Sequence, residues 1–439
     1  MIFFSTTKTS APVSMKRATL EGLAPDGGLY VPSEVPRFSE EELGLLESGS
    51  FNNVAFAIAK KFAGEEIPLD ILSRLIDECF TFETPLKELS ADTFVEELFH
   101  GPTLAFKDYG ARFLARMTGF FAAEDQKMIT VLVATSGDTG SAVAYGFHGI
   151  PNTRVVLLYP SGKVSRLQEQ QLTTAGDNVF ALEVKGDFDD CQRLVKQAFV
   201  DSDMKQKLTL TSANSINISR LIPQSFYYAW ASLQLRKRFP GKLPLFSVPS
   251  GNYGNLTAGV MAKMMGFPIG HFIAASNAND SVTRYLEEGR FEPKPTVTTM
   301  TTAMDVGNPS NFARLRHFFD GDFRRMGVEI SGAAVSDAET LEAIRSVYNS
   351  CGYVMDPHTA VGYRALERYR QENPGQEYPG VVLSTAHPVK FDDAIMTAIG
   401  KEVPIPVEMT EIMEKKKNAT LIGNGYEELA RFLSNLDQQ

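Results

Sequence analysis

Three segments set glycines beside hydroxyl and amide side chains, each directly after an apolar run that reads as a strand. Thr135-Ser136-Gly137-Asp138-Thr139-Gly140 follows ITVLVA (129–134) and leads into a helix-like run of small residues. Pro249-Ser250-Gly251-Asn252-Tyr253-Gly254-Asn255 closes LPLFSVP (243–249) and also opens a helix, while Ser384-Thr385-Ala386-His387-Pro388 follows residues 379–383. Ligands of open α/β sheets collect at the carboxyl ends of strands. Helix N-termini there offer N–H groups to a carboxylate or phosphate, and glycine lets backbone approach a ligand closely. Any one of these loops reads equally as a helix cap with a tight turn; three at equivalent places are harder to read so.

One cation is oddly placed. Lys107 lies in HGPTLAFKDYG (100–110), at the start of an amphipathic helix and among apolar residues. A surface lysine on the first turn is the simpler reading, yet cations disfavour helix N-termini. The other reading is a lysine that forms a Schiff base, the way pyridoxal phosphate (PLP) attaches to enzymes. A phosphate-binding turn elsewhere on the sheet would then anchor that cofactor.

Other chemistries lack their signatures. Neither of the first two loops is a G-x-G-x-x-G fingerprint, and Gly162-Lys163 is followed by Val164, so there is no P-loop. There is no G-x-S-x-G elbow and no H-E-x-x-H. The six histidines show no metal-ligand spacing, and Cys79, Cys191 and Cys351 are far apart. No metal is expected.

Positioning these loops requires a regular scaffold, and the chain supplies one. From about residue 94 strand, loop and helix patterns alternate: FVEELF (94–99), ITVLVA, RVVLLYP (154–160), NVFALEV (178–184), LPLFSVP, IGHFIAAS (269–276) and PGVVLST (379–385). Continuous apolar runs of this kind suit strands buried on both faces. Helical spacing at 107–121, 255–265, 336–349 and 358–371 lies between them, which argues for parallel sheets flanked by helices. The first ninety residues differ: a Pro25-Asp26-Gly27-Gly28 turn signal precedes helical patterning at 51–80, and the tail reads as a charged turn plus a final helix. Three regions are expected: a mostly helical domain over 1–93, an α/β region over 94–238 and a second over 239–439. At 439 residues the chain can bury a core without disulfides or metal. A formal charge of −10 gives no reason to expect nucleic acid or an anionic membrane as partner. The opening MIFFSTTKTS lacks the cationic start of a secretory signal, and no run approaches the ~20 apolar residues that span a bilayer. A cytoplasmic location is the expectation.

Taken together, HGPTLAFKDYGARF, ATSGDTGSA, PSGNYGN, NSINISR and the early APDGGLYVP resemble the threonine synthases, in order, from about residue 10 to about residue 400. The likeness is to the longer bacterial and fungal type. It implies an α/β, PLP-dependent fold type II (tryptophan synthase β-like) protein, with two parallel-sheet domains and the helical N-terminal one. Carried over, Lys107 matches the Schiff-base lysine, and Gly251, Asn252, Tyr253, Gly254 and Asn255 match the cofactor-phosphate loop. Thr385 matches the hydroxyl that meets the pyridine nitrogen. Ser136, Asp138 and Thr139 lie in the loop holding the amino-acid end of the substrate. Asn214 and Arg220 match the part that grips the substrate phosphate, although shorter family members differ where this chain has Ile218 and Ser219. Lys163 and Arg166 are further phosphate partners on spacing and charge alone.

The implied reaction turns O-phospho-L-homoserine and water into L-threonine and phosphate, with Lys107 displaced from the cofactor and then acting as base. The alternative is a phospho-lyase of the same architecture that leaves a 2-oxo acid. The resemblance implies a monomer or small homo-oligomer. For Tyr109, His100 and Trp230 a packing role is expected.

Overall fold

A computed structural model describes residues 1–135, 137–375 and 378–436. At the N-terminus β1 (Ile2–Ser5), β2 (Val13–Ser14) and β3 (Tyr30–Pro32) form a small antiparallel sheet, ordered β2-β1-β3. Four helices accompany it: α1 (Met15–Glu21), α2 (Glu40–Leu46), α3 (Phe51–Ala63) and α4 (Leu69–Cys79). The 51–80 pattern is thus two helices, broken where Gly64 ends α3 and Pro68 precedes α4. The small sheet carries no alternating signal and was not expected.

Eleven further strands follow among the described residues. In chain order they are β4 (Leu86–Ser90), β5 (Thr93–Glu97), β6 (Ile129–Ala134), β7 (Thr153–Pro160) and β8 (Val179–Val184). The rest are β9 (Thr209–Thr211), β10 (Leu245–Pro249), β11 (His271–Ser276), β12 (Ile330–Ala334), β13 (Gly380–Ser384) and β14 (Thr420–Ile422). Six form one sheet, β12-β11-β10-β13-β5-β4, parallel except for β4 against β5. Five form the other, β14-β8-β7-β6-β9, parallel throughout. All residues of β6, β10 and β13 are buried, as their unbroken apolar runs require.

Sheet membership does not follow the segments 94–238 and 239–439. Strand β5 pairs with β13 in the six-stranded sheet, and β14, from the tail, pairs with β8 in the five-stranded one. Six helices complete the scaffold of the site: α5 (Lys107–Asp125), α6 (Asp138–Phe147), α7 (Arg166–Thr173), α8 (Phe188–Val200), α9 (Ser202–Lys207) and α10 (Ile218–Leu221). After them come α11 (Gln224–Arg238) and α12 (Gly254–Met264). The largest apolar cluster joins Phe3, Ile58 and Phe62 of the N-terminal region to Tyr109 of α5, Phe226 of α11 and Phe246 of β10. Tyr109 is buried there, with its hydroxyl 2.6 Å from Thr84 Oγ1, and Trp230 packs on the cluster's rim. Among the described residues no helix is long and apolar enough to cross a membrane.

Candidate active site

Lys107 owes its position to a short segment that runs past the end of β13. Ala105 pairs antiparallel with Ala386, the Phe106 N–H donates to Thr385 O at 2.9 Å, and the His387 N–H donates to Leu104 O at 3.0 Å. This lays the start of α5 beside Thr385. Leu104 takes a left-handed φ of 58°, a strain that its side chain offsets by packing with Leu167, Val389, Met409 and Ile412. Asp108 fixes the same turn from within. Its carboxylate accepts from the Thr103 N–H (2.9 Å) and the Thr103 hydroxyl (2.8 Å), and burial pushes its pKa up to about 6.

Lys107 Nζ ends 3.5 Å from Asp138 Oδ2, at the first residue of α6. The turn ahead of α6 is built by Thr135, whose Oγ1 accepts from the N–H groups of Gly137 (3.0 Å) and Gly140 (2.8 Å). Gly137 has φ 146°, and a Cβ there would lie 2.4 Å from Gln168 Nε2, the group that donates to Asp138 Oδ1 at 3.0 Å. Lys390 donates to that same Oδ1 at 2.8 Å. Burial opposes the charge on Asp138, but the two lysines outweigh it and hold the carboxyl well below its usual range. Burial pushes the Lys107 amine below the usual lysine range; Asp138 resists this, and Lys390 and Arg220 reinforce it. Thr139 lies in the same first turn, half-buried. Ser136, expected with them, is outside the described residues.

The second loop leads from β10 into α12. Tyr253 adopts φ 59° and so turns the chain into the helix. The N–H groups of Gly251, Asn252, Tyr253, Gly254 and Asn255 have no acceptor among the described residues, leaving a row of donors at a helix N-terminus. Asn252 donates to Ser215 Oγ and accepts from the Ser310 N–H at 2.6 Å. Asn255 turns its oxygen inward to the hydroxyls of Tyr227 (2.6 Å) and Tyr228 (2.8 Å), and its buried Nδ2 has no partner among the described residues.

Ser215 belongs to the third contributor, residues 214–220. Asn217 donates to Thr19 O at 2.9 Å, and Ser219 Oγ is 2.6 Å from Thr19 Oγ1, so α1 buttresses this loop. Buried Arg314 clamps it too, donating to Tyr30 O at 2.9 Å and to Ile216 O. Arg220 is 3% exposed, donates to Ala213 O at 2.6 Å, and leaves its Nε unpartnered. No carboxylate pairs with it among the described residues; burial pulls its pKa down to about 10, with Asp108 opposing. Gly110 of α5 makes room: a Cβ there would lie 2.9 Å from Arg220 O and 3.2 Å from Nε. Asn214 is half-buried and its side chain has no protein partner among the described residues.

These donors match one ligand chemistry. An amine, a row of free N–H groups and an uncommitted buried guanidinium suit an aldehyde that carries a phosphate and a second phosphate nearby. Family models agree. Residues 79–385 match the pyridoxal-phosphate dependent enzyme family, 2–80 the threonine synthase N terminus and 359–433 the threonine synthase C-terminal region. The chain belongs to the threonine synthase family. It is 45% identical to a threonine synthase of Escherichia coli strain K12 over 399 residues, 91% of each chain. With that of Serratia marcescens it shares 43% identity over 424 residues, 97% of each. A crystal structure of PLP-bound threonine synthase from Brucella melitensis superposes with a TM-score of 0.94 at 37% identity, covering 99% of both chains.

As in other members of the threonine synthase family, the cofactor is PLP and the fold is type II. The structure brings Lys107, Asp138 and Thr385 together on one side, and Asn252 with the 214–220 loop on the other. Lys163 and Arg166 are exposed at the start of α7. His100 is exposed, with its ring against Phe99 and its Nε2 2.8 Å from Glu97. Lys390, Ser215 and Gln168 were not foreseen. The signal for Lys390 is its place three residues past His387, in the turn Pro388–Phe391 that directly follows the third loop.

Proposed function

We propose that this chain is a threonine synthase, converting O-phospho-L-homoserine and water into L-threonine and phosphate. The observation that carries the reading is Arg220: a buried guanidinium without a carboxylate partner among the described residues, close enough to Lys107 to act on its charge. A serine or threonine dehydratase has no use for such a group; a phosphorylated substrate does.

PLP, when bound, supplies an electron sink that stabilises negative charge on the substrate carbon beside the amine. The residues do the rest. Lys107 Nζ would hold the cofactor through its amine and, when free, would serve as the base. Burial lowers the pKa of its amine, which favours the unprotonated form that a base needs. The N–H row of Gly251–Asn255 would hold the cofactor phosphate, and the Thr385 hydroxyl would face the ring nitrogen without a full charge. Ser136 and Thr139, with the N-terminus of α6, receive the substrate carboxylate, while Asp138 orients Lys107. Arg220 and Asn214 bind the substrate phosphate and stabilise it as it leaves the γ carbon; Arg220, always charged, suits the departing dianion. Water then adds at the β carbon.

We read the protein as cytoplasmic, which fits its three free cysteines, and as a monomer or small homo-oligomer. The deciding experiment is product analysis with PLP-loaded protein and O-phospho-L-homoserine. Threonine and phosphate in equal amounts are expected; phosphate with 2-oxobutyrate would mean a phospho-lyase instead. Lys107→Ala should abolish both covalent PLP and turnover, and persistent activity would refute the assignment of Lys107.

A further inference from the structure

Two lysines converge on one carboxylate. The side chain of Lys390 has no solvent exposure and its Nζ lies 2.8 Å from Asp138 Oδ1; Lys107 Nζ lies 3.5 Å from Oδ2. Asp138 is itself 6% exposed at the side chain. Burying a second ammonium is costly and persists only with a partner, and a single Asp–Lys107 pair would be cheaper to build. A lone carboxylate facing Lys107 has a functional drawback, however. It favours the ammonium form, which can neither attach the cofactor nor accept a proton. The charged groups facing Lys107 are Asp138 from α6, Lys390 from the turn after β13 and Arg220 from α10. Those facing Asp138 are the two lysines, with Gln168 of α7 as a neutral donor.

We propose that Lys390 is a positioning residue for Lys107: it saturates Asp138, so that the carboxylate orients the lysine without keeping it protonated. This rests on the reading of Lys107 as the cofactor-attaching base. Lys390 touches neither cofactor nor substrate in this role; it acts through Asp138 and through its own charge. The turn that carries it follows the loop of Thr385, so one segment supplies both the ring-nitrogen partner and the charge that tunes the amine.

The test is capture of PLP by the apoprotein, followed by absorbance across pH. Capture condenses the unprotonated Lys107 amine with the cofactor aldehyde and releases one water. In Lys390→Met the pH midpoint of capture should rise by about one unit or more, slowing capture at neutral pH about tenfold, and the acid limb of kcat should move the same way. Lys390→Arg should keep the wild-type midpoint. Where Lys390→Met does not fold, the double variant Asp138→Asn/Lys390→Met, free of both charges, is compared with Asp138→Asn, and its midpoint should again be the higher. An unchanged midpoint in the first comparison, or equal midpoints in the second where it replaces the first, overturns the proposal. Capture needs no substrate, so failure of the threonine synthase reaction would leave the comparison intact.

Discussion

Replacing Arg220 with alanine separates substrate binding from everything else the site does. Among the described residues the guanidinium is committed to the protein by one bond, to Ala213 O at 2.6 Å, and its Nε is unspent. A planar fork on a phosphate makes two charge-assisted hydrogen bonds of roughly 1.5–3 kcal/mol each. Arg220→Ala should therefore cost about 3–6 kcal/mol of transition-state stabilisation, or ~10²–10⁴ in kcat/KM for O-phospho-L-homoserine. Stability should change little. Losing the Ala213 bond costs about 1–3 kcal/mol, and removing a buried cation that lacks a carboxylate among the described residues offsets much of that. Three readouts decide the matter: kcat/KM, PLP affinity by spectroscopic titration, and the urea midpoint. Arg220→Lys should recover part of the loss, since it restores charge without the fork. A fall of less than tenfold, or one that tracks loss of PLP, would refute the placement of Arg220 on the substrate.

Other consequences can be checked separately. Gly110→Ala gains about 1 kcal/mol of helix propensity but drives a Cβ to 2.9 Å from Arg220 O, so kcat/KM should drop at least tenfold with PLP content intact. Asn217→Ala removes the bond to Thr19 O and should destabilise the protein by about 1–3 kcal/mol in urea melts, while phosphate inhibition weakens because the Arg220 loop loosens. Glu96 is buried with both oxygens unpartnered, and burial holds its carboxyl well above the usual glutamate value of 4.5. The folded state then keeps a proton that the unfolded chain has lost. Its contribution to stability is full below about 4.5 and fades, by up to ~1.4 kcal/mol per pH unit, as pH climbs toward the folded value. Glu96→Gln should flatten that slope, and an unaltered slope in calorimetry would show that the carboxyl does not titrate there.

Strands buried on both faces were the most legible part of the fold. ITVLVA spans β6 residue for residue, and RVVLLYP and LPLFSVP fall within two residues of β7 and β10. Strands of small or mixed residues were not: ISGAA becomes β12 by pairing with β11, and its small residues leave no apolar signature. The site divides in the same way. Loops at strand ends declare themselves through glycine and hydroxyl composition, whereas Lys390 reads as an ordinary surface lysine until Asp138, far away in sequence, is found beside it. Ser215 and Asn217 were inside a recognised motif, but their buttressing by Thr19 and Arg314 is a contact between distant segments that no local pattern encodes.

The tail strand β14 has a bearing on biogenesis. Until it emerges, the edge of β8 offers unpaired N–H and C=O groups over residues that will later face Thr420–Ile422. Synthesis from β8 to β14 takes on the order of tens of seconds. Through that interval the half-built domain exposes a strand edge together with the apolar face that Leu429 and Leu433 eventually cover. Premature termination near residue 415 should therefore yield an aggregating product rather than a shortened enzyme.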